Sequence, residues 1–549
     1  MDLNRIGSRA AANGLFLLSL VLLLRNILKL PSFGFTGLIF GSLLPAILFF
    51  AGLLTLKPDL RLNLDRANLQ AKISYKVIIV SSLGLFFLCY PLNSFTFDLH
   101  IPLMMLIVFL SFAYLGMLYC QFSGKLDWAV YIFFLCFPLL NLMEYWFGIS
   151  KEGFEEGFVL TPVIFFLLSL FLGLLVKIRR VEINLRGIQI AIFVCLAMFL
   201  LSGFISSLFS AAPNASFNEF VLKYIYPFLM FPVVFFAVDS KRTMRTLINV
   251  LIVFFTINIL ISFYVFQRFG AGFLTLLSIY NGSFAGGLSS VGIASLLVSL
   301  LPPVLFMLFS EQDGRAKWIY ATLSLLFFLM LIATFSRSAF LSASLGFALL
   351  FVFKEIRKTL VSLIIVLAVI VSLSYPLLAN SRYMTLLGGF QDYSSQAHFK
   401  LWVGAAEMIK DYPIFGIGAG MWSQYVAQYC EPLRINLEIG KGVFARGYHP
   451  DPHNFYLETY LETGVAGLAA WLSFIVLSVA LSVKLIRSRP IQSGERSCLG
   501  VLFLMFILTQ AARNMTTGIL FVQGLYFYGF IFWGVYGLFF RAACLDETK

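Results

Sequence analysis

The sequence predicts an all-α membrane protein that crosses the bilayer many times. Of its 549 residues, 60% are hydrophobic and 12% are charged. The apolar residues form runs of about 20, the length that a helix needs to cross roughly 30 Å of hydrocarbon. These runs lack the alternation of an outer-membrane barrel, and a helix satisfies its own backbone hydrogen bonds within lipid. The composition therefore excludes a soluble globular fold.

The candidate spans are the apolar runs at 11–28, 32–56, 74–92, 100–122, 126–146, 158–177, 187–210, 220–238, 244–268, 284–310, 316–335, 338–353, 359–378, 455–483, 497–512 and 516–540. The first run resembles a signal peptide but has no small-residue cleavage site, so we expect a retained helix. The runs 338–353 and 497–512 are short enough to be half-spans. We therefore expect about 12–16 transmembrane helices.

The basic residues predict the orientation of these spans. The net charge of +13 does not form one basic face of the kind that binds nucleic acid, because Lys and Arg lie in short loops between spans. With the N-terminus in the cytoplasm, about two thirds of the Lys and Arg residues fall on the cytoplasmic side, as the positive-inside rule requires. The seven cysteines are scattered without a C-x-x-C pair, which predicts neither a disulfide framework nor a zinc site.

This orientation divides the chain into three parts. Residues 1–283 form generic N-terminal spans, 284–483 form a core, and 484–549 form the C-terminal spans and a short cytoplasmic tail. The core includes the long hydrophilic connection 379–454, which is placed outside the cytoplasm and is long enough to be functional. Within it, residues 398–422 predict an amphipathic helix on the membrane surface, ended by a Pro-Gly cluster whose turns fold back over the bundle.

The segment HPDPHNFYLETYLETG at 449–464 holds the densest set of reactive side chains, where this loop meets a long apolar helix. His453 is either a cap of that helix or a base, because a neutral imidazole accepts a hydroxyl proton near pH 7. Glu458 and Glu462, four residues apart, are either general bases or carboxylates that the helix dipole favours. The H-P-D-P-H spacing is not a helical i, i+4 pair, so we expect no metal site.

Arg337, in the sequence ATFSRSAFLSAS, lies at the outer junction of two apolar runs. A charge is costly there unless it has a partner or a ligand. Either the side chain extends to the interface as a structural arginine, or its guanidinium binds a phosphate with two hydrogen bonds and anchors a lipid diphosphate.

Three segments resemble the O-antigen ligase and O-antigen polymerase superfamily, bacterial membrane glycosyltransferases that act on undecaprenyl-diphosphate-linked glycans. They are TFSRSAFL around Arg337, KLWVGAAEMIKDYPIFGIGAGMW at 400–422 and HNFYLETYLETGVAGLAAW at 453–471. The resemblance covers roughly residues 284–480 and occurs in the order that the superfamily shows. The spans before it match only as generic membrane helices.

The resemblance implies that Arg337 binds the lipid diphosphate and that His453 acts on or positions the acceptor hydroxyl. The superfamily usually has an arginine four residues before Trp402, where this chain has His398. Lys400 or Arg446 then supplies the missing cation, or the diphosphate is held less tightly. The remaining candidates for substrate contacts are His449, Asn454, Glu458 and Glu462. The chemistry implied needs no metal and no cofactor.

The function that the resemblance implies is transfer or polymerisation of a lipid-linked glycan on the extracytoplasmic face of the bacterial inner membrane. The acceptor is another lipid-linked glycan in a polymerase, or lipid A core or a protein in a ligase. The expected partners are the donor, the acceptor, the bilayer and other polysaccharide-assembly proteins, without nucleic acid. The alternative is a transporter or flippase of lipid-linked glycans, which should have matching broken helices and charges at the bilayer midplane.

Overall fold

A computed structural model describes residues 113–121, 123–148, 187–268, 290–334, 336–351, 393–430, 452–487, 495–515 and 527–547, with isolated residues at 110, 166–185 and 357–365. The chain divides into two units, Met1–Leu115 and Gly116–Lys549. All the helices named below belong to the second unit.

The described residues are almost all helical, without a β-strand among them, which confirms the all-α class. A π-helical turn at Val221–Ile225 joins the helix Pro213–Phe220 to the helix Tyr226–Ala237. In chain order the helices are α1 Leu126–Gly148, α2 Ile188–Leu208, α3 Pro213–Phe220, α4 Tyr226–Ala237, α5 Lys241–Arg268, α6 Ser290–Ser310, α7 Gly314–Ala333, α8 Arg337–Leu350, α9 Tyr393–Asp411, α10 Trp422–Cys430, α11 Phe455–Arg487, α12 Glu495–Arg513 and α13 Phe527–Glu547.

Within the described ranges, five helical segments are long and apolar enough to cross a membrane: Ile188–Leu208, Pro213–Ala237, Ile293–Ser310, Gly314–Ile332 and Phe455–Arg487. They confirm a polytopic protein. Among the described residues, the apolar stretches Arg337–Leu350 and Cys498–Arg513 are shorter, and whether these two runs are half-spans stays a prediction. The total of about 12–16 spans stays a prediction, because the first runs lie outside the described residues.

The centre of the bundle is built on α11, which packs along α2 and α12, while α4 packs along α13. Aromatic side chains fill the space where α4, α11 and α13 meet. Trp471 and Phe474 of α11 contact Trp533, and Phe474 contacts Tyr536. The buried Tyr536 hydroxyl lies 2.8 Å from the Ser478 hydroxyl, so its polar end has a partner. Such packing fixes α11, the helix that carries the candidate site at its start.

The connections between helices gather into two sets. In one set, Phe209 stacks on Phe415, Arg513 donates to Ser336, and the Phe455 amide donates to the Asn514 carbonyl. In the other set, Lys177 pairs with Asp239, Arg245 donates to the Ser310 carbonyl, and Arg541 donates to the Val238 carbonyl. The first set contains connections that the charge pattern predicts outside the cytoplasm, and the second contains those predicted inside. We call them the outer set and the inner set.

Helix α9 is amphipathic, as predicted, but its apolar face does not lie on a membrane surface. Ala405 and Met408 are fully buried in a cluster with Ile417, Met421, Trp422, Val426 and Leu461. The expectation of a surface-bound helix is therefore wrong for this face. The reason is that the turns at 412–421 fold back and offer an apolar partner, so α9 buries its face against protein. At its end, the Tyr429 hydroxyl donates to Asp411 over 2.5 Å and joins α9 to α10.

The turns at 412–421 dock on a kink in α11. The Ile417 amide donates to the Leu461 carbonyl over 2.6 Å, and the Val465 amide donates to the Pro413 carbonyl over 3.2 Å. The kink lies at Gly464, with φ 69° and ψ −174°, a conformation that is essentially restricted to glycine. A Cβ atom on Gly464 would overlap the Ile414 carbonyl. Gly464 therefore permits both the kink and the close approach of the docked segment.

The two sets predict opposite reactivity towards a membrane-impermeant maleimide. In a cysteine-free background, Ile414→Cys places a thiol in the outer set at a site that is 63% exposed. Gln312→Cys places one at an exposed position of the inner set. Because the positive-inside rule puts the inner set in the cytoplasm, intact cells should label Cys at 414 and spare Cys at 312. Permeabilised cells should label both, and labelling of position 312 alone in intact cells would invert the topology.

Candidate functional site

In the turn that precedes α11, the helix cap and the candidate base are different residues. The Asn454 side-chain oxygen accepts from the backbone amides of Tyr456 at 3.0 Å and Leu457 at 3.2 Å, which are the bonds of an N-cap. Asn454, expected to contact substrate, is thus the cap of α11. His453 is therefore not the cap, and its backbone has φ 49°, a region that non-glycine residues rarely adopt. Such strain is found preferentially at functional sites.

Helix α9 lies against this turn and brings a second histidine to it. The ring centroids of His398 and His453 are 4.7 Å apart, with the planes at 71°. The Trp402 indole donates to the Pro452 carbonyl over 3.0 Å, and Trp402 lies one helical turn after His398. The segment that the sequence linked to the site thus contacts the His453 turn directly. Lys400, two residues after His398, is half-buried and lies on a different side of α9.

Arg337 is the first residue of α8 and is half-buried. The serines on either side of it are held by Arg513, at the end of α12. One Arg513 Nη atom donates to the Ser336 hydroxyl over 3.1 Å and also contacts the Ser338 hydroxyl, and the other lies 3.5 Å from the Ser295 hydroxyl. The Arg513 side chain is fully buried.

The same end of α12 also contacts the His453 turn. The Asn514 carbonyl accepts from the Phe455 amide over 2.9 Å, and the Ala511 carbonyl accepts from the Tyr456 hydroxyl over 2.8 Å. Residues 511–514 therefore contact both the start of α8 and the start of α11. Arg513 belongs to none of the sequence motifs, although it lies at the end of an apolar run in the same way as Arg337.

Glu458 and Glu462 are buried in an ionic cluster with a lysine that the sequence analysis also missed. Lys223 Nζ lies 2.9 Å from Glu458 Oε1 and 2.7 Å from Glu462 Oε1. The Tyr224 hydroxyl donates to Glu462 Oε2 over 2.6 Å. The Gly420 amide donates to Glu462 Oε1 over 2.7 Å. Both carboxylates thus have protein partners, an arrangement that favours a structural role over that of a general base.

The π-helical turn explains how Lys223 reaches these carboxylates. A π-helix has a wider turn than an α-helix, and such turns are frequent at functional sites. Here it lies in the middle of the apolar segment Pro213–Ala237 and contains both Lys223 and Tyr224. Both side chains are buried. A lysine within an apolar run is the signal that would have found this cluster from the sequence.

The remaining candidates, Arg446 and His449, lie outside the described residues, as does Asp451. Among the residues that the structure does describe, no group of three or more His, Cys, Asp or Glu side chains is arranged to hold a metal ion. The described part of the candidate site therefore consists of Arg337 and Arg513, the neighbouring rings of His398 and His453, and the start of α11 capped by Asn454.

These features define an α-helical, multi-pass membrane protein that gathers an arginine and a histidine pair at one end of its bundle. A family model described as O-antigen ligase matches residues 322–472. No curated protein matches the chain. The matched segment begins in α7 and ends within α11, and it contains Arg337, His398 and His453. The match confirms the resemblance of this segment to the O-antigen ligase and polymerase superfamily and supports a ligase or polymerase type of function in general.

The ionic cluster predicts a large loss of stability when Lys223 is replaced. Lys223→Met leaves Glu458 and Glu462 buried without their cation, and breaking a buried ion pair from one side costs about 3–5 kcal/mol. Thermal unfolding of the detergent-solubilised protein should show a marked drop in midpoint. The matched control is Lys410→Met, which removes an exposed pair with Glu407 that is worth about 0–1 kcal/mol. Equal midpoints for the two variants would contradict the stabilising role of the cluster.

Proposed function

We propose that the protein transfers glycan from a polyprenyl-diphosphate-linked donor, as a polymerase or a ligase, on the extracytoplasmic face of the bacterial inner membrane. The observation that carries this proposal is that the O-antigen ligase match includes both the start of α8 and the start of α11, and that residues 511–514 contact both. Arg337 and His453 therefore belong to one end of the bundle, where a lipid-linked donor and an acceptor would meet.

Arg337 would stabilise the leaving group. When the glycosidic bond to the diphosphate breaks, the bond electrons go to the phosphate oxygen and negative charge accumulates there. A guanidinium group donates two parallel hydrogen bonds to such an oxyanion, and a fixed donor in a site of low dielectric stabilises developing charge more than water does. Arg337 is also at the first turn of α8, whose amide groups carry partial positive charge. This assignment makes a metal unnecessary.

His453 would act on the acceptor. The acceptor hydroxyl attacks the anomeric carbon, and its proton must pass to a base as the new bond forms. A neutral imidazole near pH 7 is suited to this step. Because Asn454 caps α11, the His453 side chain is not needed for the helix start. The unusual φ angle of His453 sets the direction of its side chain relative to α11, which is the kind of positioning that an oriented base requires.

His398 would modulate this base, because its ring lies 4.7 Å from that of His453. A protonated imidazole at this distance disfavours a second charge on its neighbour. His398 thus occupies the place of the superfamily's usual arginine with a group whose charge depends on pH. Lys400, Arg446 and His449 are the other groups proposed to contact the donor.

A transporter is the rival function, since buried charges in membrane helices also mark transport paths. The Lys223 cluster lies within two candidate spans, but Glu462 is only seven residues after the start of α11, about 10 Å along the helix axis. Each charge in the cluster is paired, and Glu462 also accepts from the Gly420 amide of the docked segment. Such a fixed arrangement favours a structural connection within an enzyme.

Arg337→Lys tests the assignment to the diphosphate. Lysine keeps the charge but loses the planar pair of donors, so the initial rate of glycan transfer in membranes should fall by roughly ten- to a hundredfold, the range expected for a lost charge-assisted hydrogen bond. Expression and insertion should stay near normal, as measured by fluorescence-detected gel filtration. The control Arg315→Lys changes an exposed arginine. A near-normal rate in Arg337→Lys would return Arg337 to a structural role.

His453→Asn tests the base while preserving the backbone. Asparagine tolerates a positive φ better than alanine does, so this variant removes the imidazole with little added strain. We expect it to abolish product formation, read by gel from membranes supplied with lipid-linked glycan and acceptor, while donor binding is retained. His398→Asn, which changes the neighbouring ring on α9, should reduce the rate but not abolish it. An active His453→Asn variant would transfer the proposed role to His449.

A further inference from the structure

Arg513 has a position in the structure that none of the sequence motifs accounts for. It lies outside the segment that matches the O-antigen ligase model, and its side chain is fully buried at the end of an apolar helix. Ionised groups in such places are costly and are retained mainly where they have a role. Its hydrogen-bond partners include the hydroxyls of Ser336 and Ser338, the two residues that flank Arg337.

The guanidinium of Arg513, at the end of α12, binds these two serines at the start of α8. Ser336 is the residue before α8, and its side chain makes no capping bond to the helix. Its hydroxyl accepts from Arg513 instead, so the direction in which the chain enters α8 depends on Arg513. Ser295, on α6, lies 3.5 Å from the other Nη atom and provides a third point of attachment. The planar group is thereby fixed in orientation relative to α6 and α8.

The backbone next to Arg513 fixes the other half of the site. The Asn514 carbonyl accepts from the Phe455 amide, two residues after His453. A displacement of this end of α12 would therefore move the start of α8 and the start of α11 relative to each other. Transfer reactions are sensitive to such displacements, because an error of about 1 Å in placement costs about a hundredfold in rate.

We infer that Arg513 is a positioning residue that sets the placement of Arg337 relative to His453. This inference rests on the proposed function and adds to it a residue from outside the matched segment. Arg513 itself does not contact the donor; it acts through the Ser336–Arg337–Ser338 turn. Lysine would not replace it, because an ammonium group lacks the rigid plane that directs donors to serines on both α6 and the start of α8.

The first test measures transfer kinetics of Arg513→Gln and Arg513→Lys, with a polyprenyl diphosphate that carries one glycan unit as the donor. Both variants should lose roughly ten- to a hundredfold in kcat/KM for the donor per amount of folded protein. Ser336→Ala combined with Ser338→Ala removes the acceptors instead and should show the same defect, which guards against misfolding of the Arg513 variants. The matched control is Arg541→Gln, a half-buried arginine of the inner set, which should keep the wild-type kcat/KM.

The second test is a double-mutant cycle with Arg337. If Arg513 acts by placing Arg337, then Arg513→Gln should cause little further loss of kcat/KM when Arg337 is already lysine. A full additional loss in that background would overturn the inference, as would wild-type kcat/KM in Arg513→Gln or in the double serine variant. These outcomes differ from failure of the proposed function itself, in which Arg337→Lys and His453→Asn would leave transfer unchanged.

Discussion

The buried contact between Lys223 and Glu462 is the interaction on which the arrangement of the candidate site depends. Removing a charge from water costs several kcal/mol even after relaxation of the protein, so these groups are stable only with a complete set of partners. Glu462 receives Lys223 from the π-helical turn, Tyr224 from the same turn, and the Gly420 amide from the docked segment. The cluster therefore ties together the segment Pro213–Ala237, the turns at 412–421 and α11.

This cluster acts together with backbone geometry. The docked segment approaches α11 at Gly464. Its Ile417 amide donates to an α11 carbonyl before the kink, and its Pro413 carbonyl accepts from an α11 amide after the kink. Helix α9 then buries Ala405 and Met408 against that segment, which places His398 beside His453. The position of the histidine pair thus depends on a series of contacts that begins with the salt bridge at Glu462, about two helical turns after the start of α11.

The sequence was informative where signals are local. The start of α11, the amphipathic helix and the Pro-Gly turns follow from periodicity and from turn residues that act within a few positions. Contacts between distant segments gave no such signal. From the sequence, Glu458 and Glu462 were predicted to be carboxylates favoured by the helix dipole, or general bases. Their partner Lys223 could not be inferred, because it is more than 200 residues earlier in the chain. The apolar face of α9 was predicted to face the membrane, because hydropathy does not distinguish lipid from a protein core.

The distribution of the site along the chain has a consequence for the order of its assembly. Arg337, His398 and His453 are followed by the end of α12, whose residues contact both α8 and α11. A membrane protein is inserted from its N-terminus during synthesis, and contacts between distant segments form late. The contacts that join the start of α8 to the start of α11 therefore form only after α12 has been synthesised and packed. Under the proposed function, a nascent chain that already contains His398 and His453 would still lack the alignment needed to use a lipid-linked donor.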